Sequence, residues 1–322
     1  MVEEGAQRPS RNPTRVAAFD CGTNSLRLLI ADLDLTSGDL VEHVREMRIV
    51  RLGQGVDRTG RISAESMERA LAALDEYAML VTEYEPDVIR FCATSAARDA
   101  ENAAEFVEAV RTRIGVAVEV IAGDEEARAS YEGATRVLVD ATSPCLVLDI
   151  GGGSTELILG SADGEVELEH SLDIGSVRLT ERHLHSDPPT AAEVAELRAD
   201  VDAVLDTCRV DPARAHTVVG VAGTVTTLAA GVLGLPAYDR DRIHLAELAV
   251  DDVYATVESL VAMSVAERRA LGYMHPGRAD VIGAGALILE RILRRATVST
   301  LVVSESDILD GIAWSAARSA GR

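Results

Sequence analysis

The stretch VLDIGGGSTELIL, residues 147–159, decides the fold of this chain. One apolar run leads into three consecutive glycines and a second leads away from them, a pattern that predicts strand, tight turn and strand. Gly151, Gly152 and Gly153 carry no Cβ, so the backbone can adopt positive φ and approach a ligand closely. Together with Ser154 they can direct several N–H donors into one concavity. Such a concavity suits phosphate oxygens, and we therefore predict a phosphate-binding loop here.

Two carboxylates stand at the rim of this turn, Asp149 before the glycines and Glu156 after them. Carboxylate oxygens are the hard ligands that a Mg²⁺ ion carrying phosphate prefers. The pattern is therefore consistent with a metal-assisted phosphate site. A glycine hairpin with two solvated acids is the alternative that this stretch alone leaves open.

A near copy of the stretch lies close to the start of the chain, at residues 20–30, and reads DCGTNSLRLLI. At a constant offset of 129 residues, Asp20 corresponds to Asp149, Gly22 to Gly151, Ser25 to Ser154 and Leu28 to Leu157. A strand-turn-strand element that occurs twice predicts two related lobes that face one another, each with a phosphate loop. Chance similarity between two glycine hairpins is the alternative.

The composition is that of a globular protein and excludes several functions. Hydrophobic residues make up 47% and charged residues 26% of the 322 positions, and the formal net charge is −22. This negative charge argues against nucleic acid and acidic membrane surfaces as partners, because both favour basic patches. All 31 basic residues are arginine, which excludes a Walker A loop and Schiff-base chemistry. No apolar run approaches the roughly 18 residues of a membrane span and no secretory pattern begins the chain, so we expect a cytoplasmic protein.

Three strand-to-helix junctions add polar groups to the predicted site. In ATSAAR, residues 93–98, Arg98 lies near a helix N-terminus that favours anions; we expect it to clamp phosphate, with an ordinary surface arginine as the alternative. GDEEA, residues 123–127, opens a helix where an α/β cleft presents its chemistry, although two acids could also complement the helix dipole. The AGT turn, residues 222–224, predicts a further phosphate contact through Gly223 and Thr224.

Strands and helices are mixed in both halves of the chain, which predicts an α/β fold of two similar lobes. We predict two lobes that meet at residue 135. Residues 1–135 contain the first phosphate loop and the acids of GDEEA, and residues 136–322 contain the second phosphate loop. The closing helix could pack back on the first lobe.

Five motifs in this order resemble one family: DCGTNSLRLLI at 20–30, ATSAAR at 93–98, GDEEA at 123–127, LDIGGGSTEL at 148–157 and AGT at 222–224. Two DxG hairpins and a Gly-Thr turn resemble the actin-like phosphotransferase superfamily. Within it, the chain resembles the exopolyphosphatase and guanosine pentaphosphate phosphohydrolase family from about residue 16 to residue 317. The resemblance implies two actin-like (ribonuclease-H-like) lobes around a deep cleft.

The resemblance also implies a reaction, namely hydrolysis of terminal phosphate from inorganic polyphosphate with Mg²⁺ (or Mn²⁺) by a homodimer. By this likeness Glu126 would orient and deprotonate the attacking water, and Asp149 and Glu156 would hold the metal directly or through water. Phosphate donors would come from Thr23, Asn24, Ser25, Gly151, Gly152, Gly153, Ser154, Gly223 and Thr224, with Arg98 as the fixed positive charge. These roles suit phosphoryl transfer, which needs a positioned nucleophile and neutralised phosphate charge. Hydrolysis of guanosine pentaphosphate is the first alternative, and an actin-like nucleotide-binding regulator is the second.

Two departures from the family pattern bear on substrate length. Family members often carry Arg-Glu-Gly in the closing helix, where this chain has Leu309-Asp310-Gly311, so the phosphate contact of that arginine is absent. The chain also ends at Arg322, without the extra C-terminal domains of longer members. Because fewer distant basic contacts could hold a long substrate, we expect a preference for short polyphosphate.

Overall fold

Two mixed β-sheets, one from each half of the chain, form the framework of the computed structural model, which describes residues 13–320. The first half contains β1 (Thr14–Cys21), β2 (Ser25–Leu33), β3 (Leu40–Ile49), α1 (Val56–Thr59), α2 (Ala64–Tyr84), β4 (Val88–Ala93), α3 (Ser95–Asp99), α4 (Ala103–Ile114), β5 (Val118–Val120) and α5 (Gly123–Thr135). The second contains β6 (Cys145–Ile150), β7 (Thr155–Gly160), β8 (Val166–Leu172), α6 (Ser176–His183), α7 (Ala191–Leu205), a 3₁₀ turn (Pro212–Arg214), β9 (Thr217–Val221), α8 (Ala222–Val232), α9 (Arg240–Ile243), β10 (Glu247–Ala249), α10 (Val250–Ala262), α11 (Val265–Ala270), α12 (Ile282–Leu293), β11 (Thr300–Val303) and α13 (Ile308–Ala320).

The two sheets repeat one topology. The first has the strand order β3-β2-β1-β4-β5, and the second has the order β8-β7-β6-β9-β11, extended by β10 at its edge. In each sheet the central hairpin, β1-β2 or β6-β7, is antiparallel. The first strand of the hairpin also pairs in parallel with the fourth strand of its lobe, β4 or β9. The predicted α/β fold of two similar actin-like lobes is therefore confirmed.

The apolar runs on either side of the second glycine turn form the predicted strands because both faces of the hairpin are covered. Every residue of β6 and of β7 is buried. Such strands read as continuous apolar runs rather than as an alternation. A helix on one face of this sheet and a larger helical layer on the other bury these side chains, and this fixes the turn between the strands.

The helix that ends each half packs on the sheet of the other half. On α5, Ala127 and Tyr131 belong to the same apolar cluster as Val147 of the second sheet. On α13, the side chains of Ile312 and Trp314 cluster with those of the first sheet. The division at residue 135 stays a prediction, but each lobe completes its core with a helix from across that division.

Helices α5 and α13 touch through their backbones. A Cβ atom placed on Gly133 would lie 1.9 Å from the carbonyl oxygen of Asp307, and one placed on Gly311 would lie 2.0 Å from that of Ala129. No real Cβ contact is that short, so both positions require glycine for close approach. The crossing therefore holds the two lobes together behind the cleft.

Candidate active site

The cleft lies where the strands β1, β4, β6 and β9 end, one polar turn after each. It encloses about 740 Å³. Its lining comprises Asp20, Gly22, Thr23, Asn24, Ser25, Arg27, Thr94, Ser95, Glu126, Asp149, Ile150, Gly151, Gly152, Ser154, Ser176, Ala222, Gly223, Thr224, Arg278, Val281, Ile282 and Ile308. Parallel strands of the two sheets deliver these turns to one place, which is where α/β folds bind ligands. Most of the predicted phosphate-binding residues are thus brought together.

The glycines of the second loop are needed because the two loops touch. A Cβ on Gly152 would lie 2.9 Å from the Cβ of Thr23, and one on Gly153 would lie 2.6 Å from the hydroxyl oxygens of Thr23 and Ser95. None of these loop glycines has a positive φ. Close approach to the opposite lobe, rather than left-handed backbone, therefore explains the glycine run.

The N-terminus of α6 holds the carbonyl groups of this loop. The amide of Ser176 donates to the oxygen of Gly151 (2.9 Å), and the amide of Val177 donates to that of Gly152 (2.9 Å). The amides of Gly152 and Gly153 donate to no acceptor among residues 13–320. The loop therefore keeps free donors, as a phosphate site requires.

One side chain of the first loop also lacks a partner. The side-chain oxygen of Asn24 is buried without a hydrogen bond to any described residue. The oxygen and nitrogen of such an amide are assigned from their surroundings, and the reverse assignment would present an N–H donor at this point. In that orientation a bound phosphate oxygen would accept a hydrogen bond from the side-chain amide of Asn24.

The repeated hairpins differ at one decisive position. In the first, Asp20 lies opposite Arg27 on the neighbouring strand, and the two form an ion pair of 2.7 Å. In the second, the equivalent pair is Asp149 opposite Glu156. Both acids are buried, with 6% and 1% of their surfaces exposed. The second hairpin therefore carries two facing carboxylates where the first has a neutralised pair.

Hydroxyl groups are the hydrogen-bond partners of these two acids. Ser130 donates to Asp149 (2.6 Å) and Ser171 donates to Glu156 (2.7 Å). Burial raises the pKa of Asp149 to about 6, and the nearby carboxylate of Asp307 adds to this. Burial also raises the pKa of Glu156 well above its usual range, with further contributions from Glu126 and Asp149. Neither acid forms a salt bridge within residues 13–320, although Arg27 lies close enough to lower the pKa of Asp149 in part.

Of the two adjacent glutamates in the first turn of α5, only one faces the cleft. Glu126 lines it and is 7% exposed, whereas Glu125 lies outside and pairs with Arg90. Burial raises the pKa of Glu126 to about 7, although Arg98 works in the opposite direction. A carboxyl group with a pKa near neutrality in a water-accessible cleft suits general-base chemistry.

Arg98 lies behind Glu126 rather than in the lining of the cleft. Its Nη1 donates to Oε2 of Glu126 (2.8 Å) and to the carbonyl of Ile121 (2.8 Å). This arrangement orients the glutamate and keeps its carboxylate partly ionised. Direct clamping of phosphate by Arg98 stays a prediction.

Sequence reasoning missed Arg278, which lies in the loop before α12. Its half-buried guanidinium donates to the carbonyl of Gly223 (3.1 Å) and to the hydroxyl of Thr227 (3.2 Å). No carboxylate of residues 13–320 lies within 4.0 Å of it, and burial lowers its pKa. A half-buried cation without an acid partner, facing a cleft, suits a bound anion. No motif marks this residue, so only the fold reveals it.

The turn that carries Gly223 and Thr224 is strained. Ala222 has a φ of 64°, in the left-handed region that costs a residue with a Cβ about 1 kcal/mol or more. Such strain persists only where the surroundings enforce it, and it often marks functional sites. The turn brings both predicted residues to the cleft lining beside Arg278.

The acids fit a metal ion that is shared with a ligand. Within residues 13–320, no group of three or more His, Cys, Asp or Glu could hold a metal ion. Mg²⁺ is commonly held by one or two carboxylates, with phosphate and water completing its shell. Asp149 lines the cleft, and Glu156 lies opposite it across the strand ladder without lining the cleft, so the pair offers one or two such carboxylates.

A second chamber of about 1170 Å³ opens beside the cleft and shares Arg27 and Arg278 with it. Its walls include the apolar or aromatic side chains of Met47, Tyr238, Tyr273, Met274, Pro276 and Leu309, together with the carboxylates of Glu46 and Glu305. Both arginines that line the cleft also line this chamber, so the two linings differ in the apolar and aromatic side chains of the chamber rather than in these cations. Among the helices of residues 13–320, none is long and apolar enough to span a membrane.

Comparison with known proteins gives consistent matches. Residues 34–320 match the model of the Ppx/GppA phosphatase family. The exopolyphosphatase 2 of Mycobacterium tuberculosis is 49% identical over 319 residues, which covers 94% of this chain and 99% of that protein.

Solved structures agree with this match. The crystal structure of an exopolyphosphatase-like protein superimposes with a TM-score of 0.91 at 43% identity, covering 95% of this chain and 99% of the other. A Ppx/GppA family member from Aquifex aeolicus gives a TM-score of 0.81 at 32% identity, with coverage of 96% and 99%.

Proposed function

The chain belongs to the Ppx/GppA phosphatase family, and we propose that it is an exopolyphosphatase that removes terminal phosphate from inorganic polyphosphate. The observation that carries this proposal is the pair of facing acids in the second hairpin, at the position where the first hairpin has an acid and an arginine. Two buried carboxylates beside free backbone donors suit a polyphosphate end that arrives with its counter-ion. The named relatives support the substrate.

Different residues of the cleft have different roles in the proposed phosphoryl transfer. Free loop amides and the guanidinium of Arg278 bind and orient the terminal phosphates. Glu126 accepts the proton of the attacking water, and Arg98 fixes its orientation. Asp149 and Glu156 would hold Mg²⁺ (or Mn²⁺), directly or through water, and the bound ion would neutralise phosphate charge. Water positioning and charge neutralisation are the main requirements of this reaction.

Phosphate release tests the proposal. The substrates are short polyphosphate, long polyphosphate, guanosine pentaphosphate and ATP, each with Mg²⁺ and with EDTA. We expect metal-dependent release from polyphosphate. Release from guanosine pentaphosphate or ATP alone would leave the fold and family intact and overturn the substrate. No release from any of them would favour a binding or regulatory role.

The second chamber supports guanosine pentaphosphate as a second candidate substrate. Its aromatic and apolar walls suit an uncharged ring system, and the carboxylate of Glu305 could accept hydrogen bonds from a base. A long polyanion finds few free cations there: Arg27 is paired with Asp307 and Arg45 with Asp310, so of the arginines that line the chamber only Arg278 has no acid partner within residues 13–320. The same charges support a preference for short polyphosphate. Equal or better turnover of long chains would contradict that preference.

Two further features of the proposal rest on family likeness. They are a homodimer and a cytoplasmic location. Sedimentation of the purified protein tests the first, and fractionation of cells that express it tests the second.

A further inference from the structure

Arg178, in the first turn of α6, touches both lobes at once. Its Nε donates to the carbonyl oxygen of Gly153 (2.7 Å), and its Nη2 donates to Asp99 of the first lobe (2.5 Å). Its Nη1 pairs with Asp57, also of the first lobe. The side chain is only 11% exposed. One guanidinium thus joins the phosphate loop of the second lobe to two acids of the first.

These contacts lie outside the catalytic cleft. Arg178, Asp57 and Asp99 line a separate, narrow gap between the lobes, and none of them lines the cleft. Arg178 therefore cannot touch a phosphate bound there. Any effect on the reaction must act through the loop that it holds or through the contact between the lobes.

The contact with Gly153 sets the direction of a neighbouring donor. The peptide bond between Gly153 and Ser154 is trans, so its C=O and N–H groups point in opposite directions. Arg178 holds the carbonyl on the outer side of the loop. The amide of Ser154 accordingly points away from Arg178, and Ser154 lines the cleft. This amide has no acceptor among the described residues.

We propose that Arg178 is a positioning residue that couples closure of the lobes to the geometry of the phosphate loop. When Asp57 and Asp99 lie within reach, the guanidinium is fixed and the amide of Ser154 is aimed at bound phosphate. When the lobes separate, Arg178 loses its acid partners and the loop loses its restraint. The role deepens the proposed function, since it concerns the phosphate loop of the same site.

Arg182 provides a matched control on the same helix. It makes two hydrogen bonds to Asp57, of 2.7 and 2.8 Å, and so bridges the same lobes. It makes no hydrogen bond to the phosphate loop. Removing Arg182 therefore weakens the bridge alone, whereas removing Arg178 weakens the bridge and frees the loop.

The test compares Arg178→Met, Arg178→Lys, Arg182→Met and Asp99→Asn in the full chain. Hydrogen exchange of a peptide covering residues 151–155 reports on the loop without any substrate, and kcat and KM are measured on short polyphosphate. We expect Arg178→Met to speed exchange of that peptide and to lower kcat by about 10²-fold, the cost of misplacing a catalytic group by about 1 Å. For Arg178→Lys and Asp99→Asn we expect the exchange rate and kcat to lie between those of Arg178→Met and the wild type, because each variant keeps some of the contacts of Arg178.

Two results would overturn the proposal. One is wild-type loop exchange in both Arg178→Met and Asp99→Asn. The other is an equal effect of Arg182→Met and Arg178→Met, which would reduce Arg178 to one more bridge between lobes. If Arg178→Met fails to fold, the milder Asp99→Asn decides the matter by its loop exchange. If the wild type hydrolyses no polyphosphate, the proposed function fails while the exchange data still judge the role of Arg178.

Discussion

Replacing Glu126 by glutamine removes the proposed base while keeping the shape of the side chain. The amide oxygen can still accept the hydrogen bond from Arg98, which is 2.8 Å long in the structure. The lost function is proton acceptance from water. General-base catalysis contributes about 10²- to 10⁴-fold, so kcat should fall by that factor, equivalent to about 3 to 5 kcal/mol of transition-state stabilisation.

The pH dependence should change with the same substitution. The reaction needs Glu126 ionised, and its pKa is about 7, so kcat/KM of the wild type should rise with pH through this region and then level off. Added Mg²⁺ should move the rise to lower pH, because a nearby cation favours the carboxylate. The variant Glu126→Gln should lack this rise.

The free energy of unfolding should fall as pH rises, whereas the activity should increase. The pKa of Glu126 is raised in the folded protein, so the folded state binds the proton more tightly than the unfolded chain. Stability is then lost as pH rises from about 4.5 to about 7. Above pH 7 without metal, Glu126→Gln should recover up to about 3 kcal/mol, since one pKa unit corresponds to about 1.4 kcal/mol.

Steady-state phosphate release between pH 5 and 9 and thermal unfolding in EDTA at pH 8 together test this reasoning. The expected result is a less active and more stable protein, which a misfolded variant could not give. Glu125→Gln, at the exposed neighbour, is the matched control and should behave as the wild type. A kcat within threefold of wild type, or an unchanged pH profile in Glu126→Gln, would refute the assignment of the base.

Three further substitutions test other parts of the structure. Glu156→Gln removes one of the two facing acids, so it should raise the melting temperature in EDTA and abolish most of the stabilisation by Mg²⁺; an undiminished Mg²⁺ effect in thermal unfolding would exclude Glu156 as a ligand. Gly311→Ala forces a methyl group against a carbonyl 2.0 Å away and should cost about 1 to 3 kcal/mol in urea unfolding, whereas Ser319→Ala on the exposed side of α13 should cost far less. Gly175→Ala places a Cβ 2.5 Å from the carbonyl carbon of Gly152, so it should lower kcat/KM by about 10-fold or more through the displaced loop, and unchanged kinetics would show that the loop can yield.

Local patterns predicted the elements that frame the site. The glycine turns and the strands beside them lie where the glycine and apolar patterns place them. Helix α7 follows the prolines Pro188 and Pro189. That helix begins at Ala191, because Thr190 and Glu193 form a capping box that starts it after the prolines.

The sequence predicted only part of the charge distribution of the site. The 129-residue repeat aligns Asp20 with Asp149 and therefore Arg27 with Glu156, so the exchange of an arginine for an acid was present as a signal. No sequence pattern marked Arg278, because its separation from acids depends on which side chains the fold places around it. The inward turn of Glu126 likewise depends on how α5 packs against the second sheet.

The exchange of α5 and α13 between the lobes has a consequence for the order in which the protein acquires its structure during synthesis. The first sheet is complete once β5 has been made, at Val120, but the helix that covers one of its faces begins at Ile308. Throughout the synthesis of residues 121–307, apolar side chains such as Val16 and Leu29 have no cover from α13. A nascent chain in this state exposes a surface that favours association with other chains. The half that is made first therefore completes its core only after residues 308–320 have been made.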